Sequence, residues 1–359
     1  MFDFLHQAWD NLGTFPYAHL PLLVWLLIAL ALAFDFLNGL HDAANSIATV
    51  VSTRVLTPQV AVAWAAFFNF VAFIIFPLKV ATTIQKDIVD QSLVQDPAVA
   101  NHLIAATLMA ACGWNILTWY LGLPTSSSHA LIGGMVGAAV ALTGSFASLK
   151  SGLLWVVLFI GLAPIIGLVL GGAAILAVMW TFRRTSNLRV DRFFRRGQIL
   201  SAALFSLGHG GNDAQKTMGI IFFLLVATTV DPGRTYDRPG IVPTEVVLAC
   251  HVAMGLGTLF GGWRIVKTMG QRIIRLRPVD GFCAETGAAL TLAFTTFFRG
   301  IPISTTHTIT GAIFGVGALK RFNAVRWAVA GRILWAWILT IPGSALLAAI
   351  FAELLQVFR

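Results

Sequence analysis

Charge is scarce in this chain. Of its 359 residues only 11% are Asp, Glu, Lys or Arg, while 57% are hydrophobic; soluble domains carry roughly 25% charged residues. A chain so poor in charge cannot clothe a water-facing surface, which excludes a soluble enzyme or binding module. Cysteine is equally thin. Cys112, Cys250 and Cys283 each sit in an apolar segment and none belongs to a CxxC pair, so they read as small buried hydrophobes, and no disulfide, metal site or cofactor is indicated. No Lys or Arg precedes Arg54; the start lacks the positive n-region of a cleaved signal peptide, and the first span is expected to insert uncleaved. Neither G-x-S-x-G nor H-E-x-x-H occurs, which speaks against a serine or zinc hydrolase. The net charge of +9 collects in short loops between apolar runs, where it sets membrane orientation rather than binding nucleic acid.

What the chain has in abundance is apolar length. Ten stretches stand out, at 21–40, 59–78, 102–121, 131–142, 152–180, 198–230, 245–263, 282–298, 303–319 and 327–352. In lipid an open strand leaves backbone groups unpaired, so these are expected to be helices. The fold class is therefore an all-α polytopic membrane protein with about ten membrane segments. Trp9, Trp25, Trp155 and Trp263 near span ends read as interfacial anchors.

Polar breaks interrupt the apolar pattern, and they recur. Leu37-Asn38-Gly39-Leu40-His41-Asp42-Ala43-Ala44 echoes residues 207–214, and Leu123-Pro124-Thr125-Ser126-Ser127-Ser128-His129 echoes Ile301-Pro302-Ile303-Ser304-Thr305-Thr306-His307. Asp42 and Asp213 are 171 positions apart, His129 and His307 178, so order and spacing are both kept. The chain reads as a tandem duplication: residues 1–180 as the first repeat, 181–197 as a basic cytoplasmic linker and 198–359 as the second repeat. Placing Arg54, the cluster from Arg183 to Arg196, the cluster from Arg264 to Arg277, and Lys320, Arg321 and Arg326 inside leaves both termini outside the cytoplasm. Each half then holds three crossings plus a hairpin, an odd number of net crossings, so the repeats are inverted. The hairpins are expected to be re-entrant because their tips are polar.

Two constellations carry chemistry. An ionised carboxylate at bilayer depth needs a partner or a proton, so Asp42 and Asp213, at matching points of the two halves, are costly residues. With Gly39, Gly210 and Gly211 opening their helices, freed carbonyls together with Asp42, Asn45, Asn212 and Asp213 could coordinate a cation or exchange protons; the plainer alternative is that Asn and Asp cap a half-helix. The second constellation is Ser126, Ser127 and Ser128 with Ser304, Thr305 and Thr306. Hydroxyls at two helix N-termini make a cradle for a tetrahedral oxyanion, unless they serve as ordinary caps or small packing residues. His129 and His307 either orient a hydroxyl, shuttle a proton or are satisfied by a backbone carbonyl. Glu285, in an apolar run approaching the second tip, is a further candidate ion ligand, with Asn115 as its counterpart in the first half.

These residues resemble the inorganic phosphate transporter (PiT) family. Residues 38–51 are similar to its first signature and 208–219 to its second, and 114–133 and 301–311 also match. The likeness covers most of the chain and is strongest to compact bacterial members. It implies a carrier with broken helices and two hairpins, often dimeric, in a bacterial inner membrane. It implies phosphate contacts at Ser127, Ser128, Thr305, Thr306 and Gln215, with Ser126 and Ser304 beside them, and cation positions at Asp42, Asn45, Asn212, Asp213 and Glu285. The chain departs from the sodium-coupled eukaryotic pattern at Asn69 and His41, which favours a proton over sodium as the coupling ion, with a neutral metal–phosphate complex as an alternative cargo. The expected function is phosphate import by symport; the competing readings are a permease for sulfate or another oxyanion, a membrane-embedded hydrolase using Ser128 and His129, and a channel.

Overall fold

The computed structural model describes residues 20–90, 96–228 and 242–357. All ten apolar stretches fold as helices within the described residues. In chain order they are α1 (Leu22–Ser52), α2 (Pro58–Val71), α4 (Pro97–Leu121), α5 (Ser127–Thr143), α6 (Gly152–Thr181), α7 (Asn187–Thr228), α8 (Thr244–Phe260), α10 (Pro278–Phe294), α11 (Thr305–Arg321) and α12 (Trp327–Val357). Two short helices complete the set, α3 (Lys79–Asp87) after α2 and α9 (Trp263–Lys267) after α8. The molecule is apolar outside and polar within. Leu154, Trp155 and Val169 on α6 and Trp335, Ile338 and Leu346 on α12 are exposed, while Asp42, Asn45, Asp213, Lys216 and Glu285 are buried. That inversion is what a hydrocarbon solvent demands. Trp25, Trp155 and Trp263 are exposed as membrane anchors require; Trp9 lies outside the described residues.

Helices α1, α4, α6 and α12 are each long and apolar enough to cross a bilayer. Two bent pairs extend the count to six: α2 with its trailing turn meets α3 at 77°, and α8 meets α9 at 59°. Helices are thus broken, but not where the sequence suggested. The expectation that Gly39, Gly210 and Gly211 open their helices is overturned, because α1 and α7 run unbroken through both polar stretches. The glycines serve close approach instead. A Cβ on Gly39 would lie 2.2 Å from the Met254 carbonyl oxygen of α8, and one on Gly210 would lie 2.4 Å from the Asn69 carbonyl oxygen of α2. The segment 181–197 is also mostly helical, since α7 starts at Asn187. Its Arg195 donates to the Arg54 carbonyl at 3.1 Å, bringing together two basic positions assigned to the same side.

Both hairpins turn alike. Helix α4 ends on Gly122 (φ 66°) and the α10 arm ends on Gly300 (φ 59°), left-handed positions that suit glycine. A proline follows two residues later in each. Ser126 then caps α5 by accepting from the His129 amide, and Ser304 caps α11 by accepting from the His307 amide.

The two halves interlock. The inner arm of each hairpin packs against the last long helix of the other half, α5 on α12 and α11 on α6. Small residues four apart make this possible: a Cβ on Gly137 would meet the Ala345 carbonyl oxygen at 2.0 Å, and one on Gly315 would meet that of Leu168 at 2.0 Å. Pro164 in α6 and Pro342 in α12 interrupt the receiving helices at equivalent points. Pro164 has no N–H for the Ile160 carbonyl, and His307 Nδ1 stands 3.4 Å from that oxygen.

Because the added carbon at position 315 would collide with rigid backbone, Gly315→Ala should cost about 1–3 kcal/mol. Gly161→Ala, with nothing within 4 Å of its added carbon, should leave stability unchanged or slightly raised. Thermal unfolding of the two variants in detergent checks the difference.

Candidate functional site

The first tip meets α1. Ser127 Oγ donates to Asp42 Oδ2 at 2.9 Å and to Asn38 Oδ1 at 2.5 Å. His41 Nδ1 lies 2.7 Å from Asp42 Oδ1, and its Nε2 lies 3.2 Å from the Thr118 hydroxyl. The second tip meets α7 in the same way. Thr305 Oγ1 donates to Asp213 Oδ2 at 3.1 Å, and Asn212 Nδ2 donates to the Thr296 hydroxyl at 2.9 Å. Positions on α1 and α7 correspond at the spacing of 171, and positions on the hairpins at 178. A contact in one half therefore has a partner contact in the other.

Two further contacts cross between the halves. Asn45 Nδ2 donates to the Thr306 hydroxyl at 2.9 Å and to that of Thr305 at 3.3 Å. Its counterpart Lys216 donates to Ser128 Oγ, to Asp213 Oδ1 at 2.6 Å and to the Ile303 carbonyl at 2.8 Å. The first hydroxyl of each tip is thus held by its own half's acid and the second by an amide or ammonium of the other half. The result is that Asp42 and Asp213 converge: ligand atoms of Asp42, His209 and Asp213 all lie within 4.8 Å of one another. His209 Nε2 lies 3.3 Å from Asp213, and Thr306 Oγ1 lies 3.5 Å from Asp42. Every one of these side chains is buried. A single ammonium, that of Lys216 on Asp213, therefore accompanies two carboxylates, amid hydroxyls at two helix N-termini.

The other residues singled out from sequence fall elsewhere. Ser126 and Ser304 are the helix caps already described. Gln215 points away from the hydroxyls. Its oxygen accepts from the Val80 and Ala81 amides at the start of α3, and its nitrogen donates to the Pro77 and Gly211 carbonyls, which uses its whole hydrogen-bonding capacity. Glu285 forms a separate buried group, accepting from Thr49 Oγ1 at 2.5 Å, from Gln198 Nε2 at 3.1 Å and from Ser201 Oγ. The register set by Thr118 with Thr296 puts Thr107, not Asn115, opposite Glu285. His129 and His307 contact each other with ring centroids 4.6 Å apart, and His307 stacks on Trp337 at 3.9 Å.

A family model described as the phosphate transporter family matches residues 38–189 and 182–348. The chain belongs to the phosphate transporter family. Similar relatives include the probable low-affinity inorganic phosphate transporter of Rhizobium meliloti strain 1021, 56% identical over 92% of this chain and 95% of the relative. The protein of the same description from Bacillus subtilis strain 168 is 46% identical over 92% of this chain and 96% of the relative. A solved structure of a sodium-dependent phosphate transporter shares the fold, with a TM-score of 0.82 over 94% of this chain and 100% of its own at 24% identity. As a transporter of this family the chain is a multi-pass membrane protein and not an enzyme, and the hydrolase reading of Ser128 and His129 falls away.

Lys216, the sequence counterpart of Asn45, was singled out beside Asp213 but given no ligand role, and Thr49, Gln198 and Ser201 around Glu285 were not singled out. The role of Lys216 was detectable: a lysine deep in an apolar run, three residues after the repeated Asp213, is costly unless paired. The pairing has a measurable consequence. Lys216→Met leaves Asp213 buried beside Asp42 without its ammonium and should cost about 3–5 kcal/mol. Adding Asp213→Asn to the same chain should recover most of that loss, as read from denaturation midpoints in detergent.

Proposed function

We propose that this transporter is a secondary active symporter that imports inorganic phosphate together with a proton by alternating access. The observation that carries the reading is the meeting of Asp42 and Asp213 from separate halves beneath two hydroxyl-bearing helix N-termini. Phosphate would take the donors that now serve the cross-half contacts, Ser128 and Lys216 on one side and Thr306 and Asn45 on the other. Lys216 offers a point charge suited to a phosphate oxygen, and the α5 and α11 N-termini add unpaired N–H groups. Bringing an anion to two carboxylates and one ammonium leaves the pocket strongly negative, so a positive partner must enter with it. The first half, with Asn45 where the second has Lys216, is the side that lacks the charge.

Two features favour the proton. The carbonyls an alkali cation would need stay inside the continuous α1 and α7 helices, and the carboxylates are already met by imidazole and ammonium groups that hold protons. The acids also favour phosphate over sulfate. Phosphate near neutral pH retains at least one O–H to donate to Asp42 or Asp213, whereas sulfate offers the carboxylates only lone pairs, and buried unpaired acceptors are costly. The repeated order of helices supports the reading of two inverted repeats that rock as bodies, and the basic clusters support placing both termini outside the cytoplasm.

The test is labelled phosphate uptake by purified protein in liposomes under an imposed proton or sodium gradient. Accumulation should follow the proton gradient and resist excess sulfate. Asp42→Asn and Asp213→Asn should each abolish accumulation while still inserting, and Ser128→Ala should raise the apparent KM about tenfold by removing a hydrogen bond to a charged ligand. Accumulation retained in either Asp variant would overturn the assignment.

A further inference from the structure

Asp35 is the buried acid that the site does not use. It lies on α1 seven residues before Asp42, about 10 Å along the helix and on the same face. It is 0% exposed, and neither carboxyl oxygen has a hydrogen-bond partner. This separates it from the other buried acids of the core: Asp42 is met by His41 and Ser127, Asp213 by Lys216 and Thr305, and Glu285 by Thr49 and Ser201. The polar side chains that face Asp35 are Asn38 and Thr217, and the Thr217 hydroxyl also lacks a partner. Of the ionisable groups on the packed helices, Asp213 and Lys216 of α7 and Cys250 of α8 act on it electrostatically. Helix α2 carries no ionisable side chain, α4 and α5 bring His102, Cys112, Tyr120 and His129, and α8 adds Glu245 and His251 to Cys250.

The duplication sharpens the point. At the spacing of 171, Asp35 corresponds to Ser206 and Thr217 to Ser46, and the side-chain oxygens of all four are buried without partners. One half thus has two hydroxyls where the other has a hydroxyl and a carboxyl. An ionised carboxylate buried among apolar helices, with the Asn38 amide and the Thr217 hydroxyl near it but neither in hydrogen-bond geometry and with no paired cation, is less stable than the neutral acid. We infer that Asp35 is a proton-binding site, and that the proton it takes up is the one carried with phosphate. Asn38 links it to the tip, since its Oδ1 accepts from Ser127 Oγ. When the proton leaves, the Asn38 amide is drawn to the new charge and its hold on Ser127 weakens, which couples loss of the proton to release of the anion. A proton fits this place better than a metal ion, which would require several oxygen ligands around one point.

The inference rests on the proton-symport reading, and the experiment separates the two. Wild type, Asp35→Asn and Asp35→Glu are compared in liposomes for proton-driven phosphate accumulation, for phosphate-linked proton entry reported by an internal pH dye, and for exchange of labelled phosphate at equal concentrations. The wild type should accumulate phosphate about tenfold per pH unit for each proton coupled. Asp35→Asn should lose accumulation and phosphate-linked proton entry yet still exchange phosphate, a process that needs no net proton movement and shows that the variant is folded. Asp35→Glu should restore coupling with a shifted pH profile, and it supplies the test alone if the Asn variant fails to fold, an unshifted profile then counting against the inference. Proton-driven accumulation with unchanged proton entry in Asp35→Asn overturns the role of Asp35 and leaves proton symport standing. Wild-type accumulation that ignores the proton gradient overturns proton symport and the role of Asp35 together.

Discussion

A negative charge in a dry interior must be matched by a positive charge, a proton or a set of donors, and this transporter has placed two such charges against each other. Asp42 and Asp213 come from helices that begin 165 residues apart, yet their carboxylates share one enclosed space. Removing two charges from water costs several kcal/mol per ion, so the surroundings are built to offset it. His41, Ser127 and Thr306 surround one acid; Lys216, His209 and Thr305 surround the other. Two of the donors that the proposal offers to phosphate, Thr306 and Lys216, are also in contact with the acids, Thr306 with Asp42 and Lys216 with Asp213. An anion at the tips and the two acids therefore compete for the same donors, which is the physical ground of the symport proposed above.

Duplication supplies the frame, and departures from it supply the chemistry. Ser127 on Asp42 has its equal in Thr305 on Asp213, and Asn45 on Thr306 has its equal in Lys216 on Ser128. Geometry is kept while charge is not: an amide stands opposite an ammonium, and a serine at 206 stands opposite the acid at 35. Two equal half-sites would bind an anion from either side with equal charge. Unequal ones differ by one positive charge, the first half having an amide where the second has an ammonium.

Much of this was legible in the sequence because membrane helices declare themselves by length and composition. The ten apolar stretches became ten helices, and the repeated Pro-x-Ser and Asn-Asp motifs became the two tips and the two acids they meet. Glycine was the point of failure. Gly39 and Gly210 within polar stretches read as places where a helix opens, but glycine equally serves where another backbone comes close, and only the positions of Met254 and Asn69 decide between the two. Gln215 shows the same limit from the side of side chains. The family likeness assigned it to phosphate, whereas the bend between α2 and α3 leaves amides that it caps. Asp35 was passed over because no repeated motif contains it; its lack of partners is a property of α1 and the helices packed around it and not of any stretch of sequence.

The interlock also limits how the site can open. Each tip's inner arm lies against the other half's last helix through glycines in contact with carbonyl oxygens, Gly137 on Ala345 and Gly315 on Leu168. Such surfaces neither compress nor slide far without collision, so an arm and the helix that clasps it must move together. The hydrogen bonds that cross between halves at the tips, from Asn45 and from Lys216, are different in kind: they are few and polar, and they are the ones the proposed phosphate site would exchange. The frame itself bends at two places, at 77° between α2 and α3 and at 59° between α8 and α9. Gln215 fastens α7, the helix that carries Asp213 and Lys216, to the first of these bends. The charges that demand a partner are thereby tied to a bend in the helical frame rather than to a straight span.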